Sequence, residues 1–255
     1  MQRLRNKVAI VTGGGSGIGR ATAIRLAAEG AKVMAADISD LGGRETRRLI
    51  TKAGGEAIAL RADVTKADDM QRMVQDTVQA FGGVHILINN AGIYSGEDKR
   101  ITEIDEAVFD RVLDINLKGM FLAAKYAFPQ IAKNGGGASV MVSSIGGVSG
   151  GFVTAYGTSK GGVISLMRSL AGQYGHKNIR VNAILPGPID TPIHEGVNIA
   201  RGQPPHSRQF GKTPMITSRW GTPEDVAALI AFLVSDDASF MTGAAVTIDG
   251  GSTAL

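Results

Sequence analysis

Seven short apolar runs, rich in strand-forming residues, punctuate this 255-residue chain, and helical spacing fills most of the gaps between them. The runs are KVAIVT (7–12), AKVMAAD (31–37), EAIALRAD (56–63), HILINNAG (85–92), ASVMVSS (138–144), IRVNAILPG (179–187) and AAVTID (244–249). Helical periodicity covers 18–29, 40–53, 66–81, 103–132, 154–175 and 223–235. Strands alternating with helices imply a parallel sheet with helices on both faces. The runs are almost continuously apolar, as strands buried on both faces must be. No polar linker divides the sequence. The pattern predicts an α/β fold, a single doubly wound domain over 1–255 with a parallel sheet of about seven strands. Sheets of this kind bind ligands beyond the carboxyl ends of their strands, so the residues just after each run are the first candidates.

The first of these is Thr12-Gly13-Gly14-Gly15-Ser16-Gly17-Ile18-Gly19, between the first strand and the first helix. A loop there can offer backbone N–H groups and a helix N-terminus to a pyrophosphate, and a Cβ would hold the phosphate away. The spacing is G-x-x-x-G-x-G, not the commoner G-x-G-x-x-G. Asp37 closes the second strand, where a carboxylate can accept from an adenosine ribose diol and would repel a 2′-phosphate. No Lys or Arg stands at Ser16, and Ile38-Ser39 brings no positive charge beside Asp37. This favours NAD over NADP. Asp63 and Val64 close the third strand, with Asp63 placed to accept from an adenine amino group. Asn90-Ala91-Gly92 closes the fourth, with Asn90 expected to hold a turn over the cofactor. Each of these is also a plain turn-forming residue.

Composition narrows the chemistry. There are no cysteines, which excludes disulfides, iron–sulfur clusters and thiol catalysis. The four histidines, His85, His176, His194 and His206, lack zinc-helix spacing, so no metal site is expected. Net charge is +4, with the Lys and Arg scattered rather than interleaved with aromatics, which argues against nucleic acid. No stretch approaches the roughly 20 apolar residues of a membrane span, and the apolar run after the basic N-terminus is too short for a signal peptide. A cytoplasmic enzyme of small molecules is the expectation.

Tyr156 and Lys160 lie four apart at the start of a helix, on one side of it. A phenol titrates near about 10. A neighbouring ammonium and an oxidised nicotinamide both favour tyrosinate and would suit it to acid–base work. With TGGGSGIG, NNAG, DINLKG, SSIGG, YGTSK, RVNAILPGPIDTP, RWGTPEDVA and TGAAVTIDGG in this order, the chain from Lys7 to Gly251 resembles the short-chain dehydrogenase/reductase family, in its branch of roughly 250-residue members. The resemblance implies a Rossmann-type domain and a tetrad of Asn116, Ser144, Tyr156 and Lys160. Tyr156 would exchange a proton with the substrate oxygen and Ser144 would orient that oxygen. Lys160 would bind the nicotinamide ribose and lower the Tyr156 pKa. Asn116 would hold a helix kink and a relay water. Pro186, Gly187, Ile189 and Thr191 would contact the nicotinamide half. A homotetramer is also implied, packed through the helices at 103–132 and 154–175.

One spacing departs from the family. Its serine usually precedes the tyrosine by 13 residues, the position of Ser143 here. Ser144 fits if the following loop is one residue shorter, as Gly147 and Gly150 suggest, and Ser144 is preferred with Ser143 as its competitor. Substrate contacts are expected from 94–100, from 145–154 with Phe152 and Val153, and from a lid-like insertion at about 188–215. That insertion holds His194, Arg201, His206, Arg208 and Lys212. The function this implies is hydride transfer between NAD(H) and the CH–OH or C=O carbon of a small secondary alcohol or ketone. The alternatives are a 3-oxoacyl-carrier-protein-type reductase using NADPH and, remotely, a non-catalytic nucleotide-binding protein.

Overall fold

The computed structural model describes residues 2–151, 153–194 and 219–254. The seven runs form β1 (Val8–Thr12), β2 (Lys32–Asp37), β3 (Ala57–Arg61), β4 (Ile86–Asn89), β5 (Gly137–Val142), β6 (Ile179–Pro186) and β7 (Ala245–Ile248). They lie in one sheet in the order β3-β2-β1-β4-β5-β6-β7, and every pairing is parallel. The chain winds outward from β1 in one direction and from β4 in the other, so a crevice opens between the carboxyl ends of β1 and β4.

Helices α1 (Gly17–Ala28), α2 (Asp40–Lys52) and α7 (Pro223–Val234) cover one face, where Leu26, Ile50 and Ile230 pack on Val11, Ile88 and Val140. Helices α3 (Ala67–Phe81), α4 (Glu106–Leu113), α5 (Gly119–Lys133) and α6 (Ala155–Tyr174) cover the other, with Met73, Phe128 and Met167 set against Ile10 and Leu87. The helical stretch expected over 103–132 begins only at Glu106, because Asp105 caps it by accepting from the Ala107 N–H. It is also not uniformly α-helical. Residues Asp114–Lys118 form a π-helical turn between α4 and α5, and Asn116 sits at its centre. An inserted residue of this kind is common at functional sites.

Helix α7 starts with a capping box. The Thr222 hydroxyl accepts from the Asp225 N–H at 3.2 Å and the Asp225 carboxylate accepts from the Thr222 N–H at 2.8 Å. Thr222→Ala is expected to cost about 1 kcal/mol of stability, read from urea unfolding midpoints. An unchanged midpoint would mean that the box adds nothing to the folded state.

Candidate active site

Because all strands run the same way, their carboxyl ends bring Gly13, Asp37, Asp63, Asn90, Ser144 and Gly187 to one edge of the sheet. The glycine loop is shaped by packing. A Cβ on Gly19 would stand 1.9 Å from the Gly13 carbonyl oxygen, and one on Gly15 would stand 2.7 Å from the Asp37 carboxyl. Ser16 is the exposed N-cap of α1 and makes no side-chain cap, so the first amides of α1 donate no hydrogen bond to its hydroxyl. Unclaimed helix amides beside a glycine loop suit a pyrophosphate. Asp37 accepts from the Gly15 and Ser39 amides, each at 2.8 Å. Each carboxylate oxygen keeps a second lone pair for a ribose diol. Behind the loop Arg20 donates to the Gly15 carbonyl and to Thr46 Oγ1, whose hydroxyl reaches the Gly14 carbonyl.

Asn90 holds the crevice together. Its Nδ2 donates to the carbonyls of Thr12 and Gly13 at 3.0 and 3.1 Å, tying β4 to β1. Thr12 completes the staple from the other side, as its Oγ1 accepts from the Asn90 and Ala91 amides and donates to the Ile88 carbonyl. Thr12 did not stand out in the sequence beyond its place in the glycine loop, although a hydroxyl at the end of an apolar strand needs partners. Asp63 folds its own turn, with Oδ1 accepting from the Thr65 amide and hydroxyl. Burial pushes its pKa up, but these bonds and the nearby Lys66 and Arg61 leave it lowered overall. Val64 packs where a Gly119 Cβ would fall. Gly187 lies against Asp249, and Ile189 is buried beside Gly221. A Cβ on Gly17 would touch Thr191 at 3.4 Å, so the chain after β6 folds back over the glycine loop.

Tyr156 and Lys160, expected at the reactive end, lie on α6. Lys160 is 3% exposed and donates to the Val142 carbonyl at 2.8 Å. Its ammonium sits 5.6 Å from the centroid of the Tyr156 ring. Burial pushes Lys160 down to about 8. Burial also pushes the Tyr156 phenol up to about 12, against a hydrogen bond with Ser144 that draws it down, while Tyr94 adds to the rise. In the chain by itself burial thus raises the phenol, where the lysine was expected to lower it. The two adjacent serines part company. Ser143 is buried and donates inward to the Lys160 carbonyl at 2.7 Å, whereas Ser144 turns towards Tyr156 and accepts from the Gly146 amide. The loop carrying Ser144 can approach α6 because a Cβ on Gly147 would stand 2.7 Å from the Gly161 nitrogen. Asn116, fully buried, accepts from the Ile93 N–H and donates to the Ile93 carbonyl and Ser159 Oγ. That binding fixes the π-turn against the segment after β4, within reach of Gly92 and Lys160.

A cleft of about 490 Å³ opens beside Tyr156, lined by Val148, Val153 and Thr154 among others. Tyr94 stands over Tyr156 with ring centroids 4.9 Å apart. Phe152, Arg201, His206, Arg208 and Lys212, with most of the expected lid, lie outside the described residues, as does the side chain of His194. Among the described residues there is no cluster able to hold a metal ion, and no helix is long and apolar enough to cross a membrane.

A family model described as Enoyl-(Acyl carrier protein) reductase matches residues 13–253. A solved short-chain type dehydrogenase/reductase from Mycobacterium marinum superimposes with a TM-score of 0.91 at 31% identity, over 99% of this chain and 97% of its own. The chain belongs to the short-chain dehydrogenase/reductase family. Like other short-chain dehydrogenases/reductases it is an oxidoreductase working with a nicotinamide cofactor. It is 38% identical to a cyclohexanol dehydrogenase of an Acinetobacter strain, over 98% of this chain and 96% of that one. The crystal structure of a levodione reductase matches with a TM-score of 0.93 at 37% identity, covering 99% of this chain and all of the other. Both relatives are dehydrogenases or reductases of the kind that interconvert secondary alcohols and ketones.

Proposed function

We propose that this short-chain dehydrogenase/reductase uses NAD(H) to interconvert a small secondary alcohol and its ketone, with Asn116, Ser144, Tyr156 and Lys160 as its working tetrad. The observation that carries the reading is the approach of the Ser144 side chain to Tyr156, which lines the cleft, with Lys160 buried beneath the ring. When bound, the nicotinamide supplies the hydride or takes it up. Tyr156 gives a proton to the substrate oxygen in reduction and takes it back in oxidation. Ser144 donates a hydrogen bond to the same oxygen and aims it. Lys160 holds the nicotinamide ribose, and Asn116 keeps the π-turn and the segment after β4 in register. Gly13, Ser16, Gly17, Ile18 and Gly19 hold the pyrophosphate and Asp37 the adenosine ribose. Asp63 and Val64 flank the adenine. Asn90, Ala91 and Gly92 line the crevice, and Pro186, Gly187, Ile189 and Thr191 close over the nicotinamide. The reading includes a homotetramer in the cytoplasm.

An NADPH-dependent reductase of carrier-protein thioesters is the competing reading. Asp37 counts against it, because its charge opposes a 2′-phosphate. The relatives' activities and the ring-on-ring wall of Tyr94 and Tyr156 put cyclic substrates first. The test is a panel of cyclic and open-chain secondary alcohols, led by cyclohexanol, with NAD and with NADP, followed by cofactor absorbance. Turnover with NAD and a cyclic alcohol is expected. A silent panel beside NADPH-driven reduction of a 3-oxoacyl thioester would overturn the reading.

A further inference from the structure

The start of α6, the helix that carries Tyr156 and Lys160, has no cap of its own. Thr154 at the N-cap position has helical backbone angles and makes no side-chain cap, and the first turn contains no acid. Three consecutive amides there need acceptors, because the first N–H groups of any helix have no partner within it. Their acceptor comes from the segment between β4 and α4. Asp98, 7% exposed, accepts from the Thr154 amide at 2.9 Å and the Ala155 amide at 3.0 Å through Oδ1, and from the Tyr156 amide at 2.8 Å through Oδ2. A second latch lies beside it, where the Thr154 hydroxyl donates to the Lys99 carbonyl at 2.7 Å. The same segment carries Tyr94, whose ring lies against Tyr156.

We infer that Asp98 is a positioning residue for the reaction: its carboxylate fixes the backbone of Tyr156 and the substrate wall at Tyr94 as one unit. The inference rests on the proposed role of Tyr156 as proton donor and acceptor. Both carboxylate oxygens are committed, and three donors converge on them. The aspartate carboxyl group presents an acceptor oxygen on both sides in that space. An asparagine would turn an NH2 towards either the Tyr156 amide or the Thr154 and Ala155 pair, setting donor against donor. With that bond lost, the first turn of α6 is free to shift, and a misplacement of about 1 Å in a reacting group can cost on the order of 10²-fold in rate. The glycine loop and Asp37 lie across the crevice on β1, α1 and β2, and Lys160 lies one turn beyond the amides that Asp98 holds and is anchored to the Val142 carbonyl, so dinucleotide binding should change little.

The experiment compares Asp98→Asn, Asp98→Glu and Tyr156→Phe with wild type, using the panel alcohol turned over fastest. Asp105→Ala serves as a control that removes a local cap from α4. Asp98→Asn is expected to lower kcat at least about tenfold, with NADH affinity by fluorescence within about twofold and KM moving less than kcat. Asp98→Glu keeps the charge but displaces it by one methylene, so it should fall between Asn and wild type. Asp105→Ala should lower the melting temperature and leave kcat alone, which separates positioning from stability. If Asp98→Asn does not fold, the glutamate variant decides: a reduced kcat with intact NADH binding supports the inference and a wild-type kcat ends it. A wild-type kcat in Asp98→Asn, beside an inactive Tyr156→Phe, overturns the inference and spares the mechanism. Retained activity in Tyr156→Phe removes the mechanism on which the inference stands.

Discussion

Tyr156→Phe is expected to lower kcat by about 10²–10⁴-fold, the range that a positioned acid–base group contributes, while NADH affinity stays within about twofold. The substitution is narrow. Phenylalanine keeps the ring against Tyr94 and the helix that Asp98 caps, and removes only the hydroxyl that meets Ser144. The pH dependence gives a second test with a definite sign. Burial holds the free phenol near 12, so at neutral pH it is protonated, the form that reduction of a ketone needs. Oxidation needs the tyrosinate, so kcat/KM for the alcohol should rise with pH, whereas ketone reduction should stay level and fall only as pH approaches the phenol's own pKa. The ammonium of Lys160 favours the tyrosinate but is itself held near 8, so its help fades above that pH and the rise should flatten. The phenylalanine variant should lose the slope along with the rate. Wild-type turnover in Tyr156→Phe, or an unchanged pH slope in its residual activity, would remove Tyr156 from the proton path.

The architecture followed from the alternation of runs, because burial on both faces writes a parallel strand as a short unbroken apolar stretch. Six of the seven strands fall inside the expected runs, trimmed at one or both ends where pairing gives way to turns, and β5 starts one residue early, at Gly137, which pairs with Ile179. The stretch over 103–132 resisted reading. Apolar spacing on an α-helix and on an α-helix with one π-turn differs by a single residue; the family resemblance put a kink at Asn116, and the structure shows it as a π-turn held by buried bonds to Ile93 and Ser159. Spacing to Gly147 and Gly150 favoured Ser144 over Ser143, and three dimensions show why the two differ, since adjacent residues at the end of a strand point to opposite faces. Asp98 was legible only as one residue of a loop, because its partners lie more than 50 positions away along the chain. The one local hint was negative: a 20-residue helix opening without an acid or a side-chain cap must find its acceptors elsewhere.

In the proposed reading cofactor choice turns on Asp37, and Asp37→Asn is expected to shift the ratio of NADP to NAD utilisation by about 10- to 10³-fold towards NADP. The magnitude follows from charge. Two unit charges about 4 Å apart repel by about 1 kcal/mol in water and about 4 kcal/mol at an effective dielectric of 20, and about 1.4 kcal/mol is a factor of ten. Asp37 is half-buried at the end of β2, between these limits. Behind the loop, Arg20 commits its Nε to Thr46 Oγ1 and its Nη2 to the Gly15 carbonyl. Those bonds hold it on the loop's far side, away from a 2′-phosphate in the wild-type chain. The asparagine variant removes the charge but keeps one acceptor oxygen for the Gly15 amide, so the loop should persist. NAD utilisation should fall as well, because an amide can no longer accept from both ribose hydroxyls. The measurement is kcat/KM for each dinucleotide at one alcohol concentration, in wild type and variant. A wild-type enzyme that already prefers NADP, or a ratio unmoved by the substitution, would mean that discrimination is made elsewhere on the adenosine side.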